Sequence, residues 1–161
     1  MISPSTTTPA YVAALQAAYG APSQAGFGSA VFFGHSPANE LEKAALANYK
    51  YFVGDNWERF GEATWIRQWK QVYLRPFGGT HEIVAELYNI TDSTAKLAVP
   101  MILENIENAD KAVQALSAAF DVLAVSQLVV FNIGDGEAMS GILIAGRRYN
   151  DETTCLVFLL D

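Results

Sequence analysis

Thr153-Thr154-Cys155-Leu156-Val157-Phe158-Leu159-Leu160 is a short run, rich in β-branched and apolar residues. It reads as a strand. Side chains alternate along a strand, so Cys155, Val157 and Leu159 point one way and Leu156, Phe158 and Leu160 the other. Both sides are apolar, so both must be covered. Fully burying each large side chain is worth about 1.5–3 kcal/mol, which makes a whole wet face expensive.

Two similar runs precede it, Gln127–Ile133 (QLVVFNI) and Gly141–Arg147 (GILIAGR). Asn150-Asp151 between the second and the last is a tight-turn signal. Three such runs with short connections predict an antiparallel meander. Helices can cover one of its faces. The other needs more helices, an N-terminal segment or a second subunit.

Upstream, the apolar period lengthens. Ile102, Ile106, Ala109, Val113, Leu116, Phe120 and Leu123 step by four and three, one helical seam that Pro100 suits at its start. Asn108 and Asp110 compete with the helical backbone and can divide it, but 109–122 is helical on either reading. Residues 37–53 predict a second helix, with Ser36 as N-cap, Pro37 at its first position and Gly54 as its stop. Between these lie the aromatic residues Trp57, Phe60, Trp65, Trp69, Tyr73 and Phe77. The four-residue spacing from Trp65 to Phe77 favours a helix, although WIRQWKQVYL also suits a strand. HEIVAELYNI, residues 81–90, reads as a helix with a strand as the alternative.

The N-terminal segment is unusual for what it lacks. Residues 1–39 contain no Asp, Glu, Lys or Arg. A short helix is predicted there, with Thr8 as cap, Pro9 at its first position and Gly20 as its end. A Gly-, Ala- and Ser-rich stretch and the apolar run Ala30-Val31-Phe32-Phe33 follow. Residues 1–35 are expected to be an uncharged arm that packs on the domain or docks on a partner, where charges would be costly to desolvate. The expected fold is a single α+β domain over 1–161, its helical N-terminal two-thirds packed on a C-terminal three-stranded antiparallel meander.

Composition narrows the function. The chain is 51% apolar and 17% charged, enough to bury a core without disulfides or metal. A net charge of −7 and only ten Lys and Arg argue against nucleic acid or anionic membrane as a partner. One cysteine, Cys155, allows no internal disulfide and no multi-Cys metal site. No stretch approaches the length of a membrane span, and MISPSTTTPAYVAALQAAYG lacks the pattern of a signal peptide. The expected location is cytoplasmic, where the sequon at Asn89 has no meaning.

The most motif-like stretch is Asn132-Ile133-Gly134-Asp135-Gly136-Glu137-Ala138-Met139-Ser140-Gly141. A dinucleotide fingerprint needs glycine where Met139 stands, and a P-loop needs Lys where Ile142 stands. A nucleophile elbow needs glycines in place of Ala138 and Ile142. The stretch reads as a loop between strands, with Asp135 and Glu137 as candidates for a small cation or acid/base site. His35 and His81 could hold a metal with a carboxylate only if the fold joined them, since their spacing carries no signature. Cys155, inside an apolar strand, reads as buried and inert.

No cofactor is implied. The reading that fits is a non-catalytic interaction or regulatory domain that self-associates, with a second copy or another protein as its expected partner. The alternative is a small-molecule-binding protein or enzyme with an aromatic pocket. Trp65, Trp69 and Tyr73 would line that pocket, and His81, Asp135 or Glu137 would supply polarity.

Overall fold

A computed structural model describes residues 8–160. Among them the elements run α1 (Ala10–Tyr19), β1 (Gly28–His35), α2 (Leu41–Val53), α3 (Asn56–Phe60), α4 (Glu62–Ile66), β2 (Lys70–Leu74), α5 (Ile83–Tyr88), α6 (Val99–Leu103), α7 (Ala109–Phe120), β3 (Val125–Gly134), β4 (Ser140–Arg148) and β5 (Glu152–Leu160). The meander is present, but the sheet has five strands in the order β1-β5-β4-β3-β2, all antiparallel. Helices and strands interleave. The expected division into a helical N-terminal two-thirds and a three-stranded C-terminus is therefore corrected.

The two added strands come from segments that looked like something else. β1 contains the run Ala30–Phe33 and pairs along β5, from Gly28 opposite Leu159 to His35 opposite Glu152. The aromatic segment is helical only to Ile66. It then turns, with Trp69 N–H donating to the Ile66 carbonyl, and enters β2. An exposed backbone edge on β3 competes with the four-residue spacing, and sheet pairing wins where Val72 and Tyr73 suit a strand. The ladder shifts register between Gln71 and Tyr73.

The expected division of β5 holds. Leu156 and Phe158 join Leu128, Val130, Ile142 and Ile144 under α1, α5, α6 and α7, through residues such as Leu15, Ile83, Ile102 and Leu116. Cys155, Val157 and Leu159 join Val129, Phe131 and Leu143 under α2, α3 and α4, through Tyr49, Phe52, Trp57 and Trp65. The sheet is the middle of three layers. Both its faces are shielded within one chain, so its burial alone requires no second copy.

The N-terminal segment is built into these layers from residue 8 onward; its first seven residues lie outside the described residues. Val12, Leu15 and Tyr19 of α1 are buried. The cap of α1 is Pro9, not Thr8: the Pro9 carbonyl accepts from the N–H groups of Val12 and Ala13. Ser36 does not cap α2 either. Its hydroxyl meets that of Thr153 at 2.7 Å, and a 3-10 turn at Ala38–Glu40 leads into the helix. Gly54 ends α2, with φ 69. The long seam is cut at Asn108, whose φ of 56 is left-handed, a conformation Asn tolerates better than most side chains. No helix among the described residues is long and apolar enough to cross a membrane.

Candidate functional site

Arg75 follows β2 directly, and its N–H donates to the Leu128 carbonyl at 2.9 Å, which keeps it against β3. Its side chain turns inward toward α5. Nη2 lies 2.6 Å from Oε1 of Glu86, Nε donates to Oε2 at 2.8 Å, and Nη1 donates to the carbonyl of Phe120 at 2.9 Å. The two-pronged pairing suits a planar guanidinium and a carboxylate. Glu86 also accepts from the Tyr73 hydroxyl and from the Glu82 N–H. Asp121 at the end of α7 accepts from the Ile83 N–H at 2.7 Å, which anchors the start of α5.

Both charged residues are buried. Burial by itself raises the Glu86 pKa, but the hydrogen bonds from Arg75 and Tyr73 outweigh it and hold the carboxyl below its ordinary value. Burial and the bond to Glu86 push the Tyr73 hydroxyl up to about 12. Each guanidinium nitrogen of Arg75 already has a partner. The cluster fastens β2 to α5 and α7 and offers no free group for chemistry.

Directly beyond it lies a group of exposed apolar residues. Pro76 and Gly79 close a turn through a 2.8 Å N–H to carbonyl bond, with Gly78 at φ 75. Phe77 stands at its tip, fully exposed at 103%. Phe77 lines a concavity of about 500 Å³ together with Leu74, His81, Leu123 and Tyr149. Leu123 is 83%, Tyr149 71% and Leu74 53% exposed. Polar groups at the rim are tied to their neighbours. His81 Nδ1–H donates to the Val122 carbonyl at 3.1 Å, and Ser126 and Gln127 both accept from Arg147.

The residues singled out in the sequence separate. Trp65 is buried under α2 with its indole N–H on the Asn56 carbonyl. Trp69 lies between the rings of Tyr49 and Phe131, and its N–H donates to Glu42. Both belong to the core on that face, whereas Tyr73 packs against the other core. The three rings are not brought together around a cavity.

His35 closes β1 at one edge of the sheet, and His81 lies beyond β2 at the other. Asp135 is occupied by its own loop, where Oδ1 accepts from the N–H groups of Glu137 and Met139 at 2.8 and 2.9 Å. Glu137 is exposed. Among the described residues, no group of three His, Cys, Asp or Glu is placed to hold a metal. Of the sequence candidates, only His81 borders the apolar concavity.

The pairing of Arg75 with Glu86 left no mark in the sequence. Phe77 did leave one: between Pro76 and Gly78-Gly79, no regular element can bury it. No family model, curated protein or solved structure matches the chain.

Proposed function

We propose that this chain is a non-catalytic interaction domain that self-associates. The observation that carries the proposal is the apolar surface around Phe77, Leu123, Tyr149 and Leu74, gathered at one end of the sheet on an acidic protein. Phe77 is 103%, Leu123 83%, Tyr149 71% and Leu74 53% exposed. Large apolar side chains left exposed around one concavity are a common mark of an interaction surface.

The polar chemistry beside the patch supports the same reading. The charged groups nearest it are paired, and the candidate acids and histidines do not converge. A net charge of −7 favours a protein partner over nucleic acid or an anionic bilayer.

Light scattering on the purified chain, over a concentration series from micromolar to millimolar, tests self-association. A mass that rises to a multiple of the chain mass is expected. A constant monomer mass across the series would remove the proposal.

A further inference from the structure

We draw no further inference here: the strongest candidate, the groove of about 570 Å³ between α1 and α7 lined by Ala14, Ala18, Ala112 and Ala115, is a stripe of small residues, and nothing in the structure shows what covers it.

Discussion

Arg75 and Glu86 face each other across the gap between β2 and α5, with Nη2 2.6 Å from Oε1 and Nε 2.8 Å from Oε2. Both are buried. Removing one partner strands the other charge in the interior, which costs about 3–5 kcal/mol, whereas replacing both by apolar groups is close to neutral. Urea unfolding is therefore expected to show a loss of about that size for Arg75→Met. The double variant Arg75→Met/Glu86→Leu is expected to recover most of it. A double variant as unstable as the single one would show that the pair holds the fold by more than compensated charge.

The same pair sets an acid limit. The folded Glu86 pKa lies below its ordinary value of 4.5, so the folded state binds fewer protons than the unfolded state between the two. Its contribution to stability is complete above about pH 4.5 and is lost as the pH falls through the depressed folded value. Asp92 acts in the same direction, held down first by its bond to Lys70 and then by the Ala95 N–H. Urea midpoints between pH 6 and pH 3 are expected to fall more steeply for the native chain than for Arg75→Met/Glu86→Leu. Parallel slopes would assign the acid sensitivity to other groups.

Two glycines in strands separate backbone crowding from mere composition. A Cβ on Gly141 would lie 1.8 Å from the Phe158 carbonyl oxygen, in the neighbouring strand. A Cβ on Gly34 meets nothing within 4 Å. Gly141→Ala is expected to cost about 3 kcal/mol, because β4 and β5 must part. Gly34→Ala is expected to change stability by less than about 0.5 kcal/mol. Thermal melts of the two variants check both.

Cys155 is sealed beneath α2, and burial pushes its thiol up to about 11. A thiol reacts as its thiolate. Ellman's reagent is expected to leave the folded chain unlabelled at pH 8 and to titrate one thiol after denaturation. Rapid labelling of the folded chain would mean that the face of the sheet beneath α2 opens readily.

The parts of this fold that could be read from the sequence are those in which local pattern and tertiary burial agree. Cys155, Val157 and Leu159 divide from Leu156 and Phe158 because strand geometry leaves them no choice. α2 and α7 carry apolar seams that the core accepts. Trp69 and Tyr73 misled because a spacing of four fits a helix equally well, and only the open edge of β3 decides between the two. Ala30–Phe33 was visible as an apolar run but too short to place without its partner, β5. At the surface, His81 reads in the sequence as a source of polarity and lines an apolar hollow in the fold. Leu123 looked like the end of a helical seam, but α7 stops at Phe120 and leaves it in water. Arg75 and Glu86 were invisible because ion pairing between two elements has no period.

Among the described residues β1 has no strand neighbour except β5, and Ser36 meets Thr153 from 117 positions away. During synthesis the early strand emerges long before the one that must sit between it and β4. Until then its uncharged, aromatic residues have nowhere native to go. Loops of that size close slowly, and contacts so distant along the chain slow folding as a whole. A ribosome-bound chain lacking β5 would thus carry an unfinished sheet, sticky along the seam where the final strand belongs.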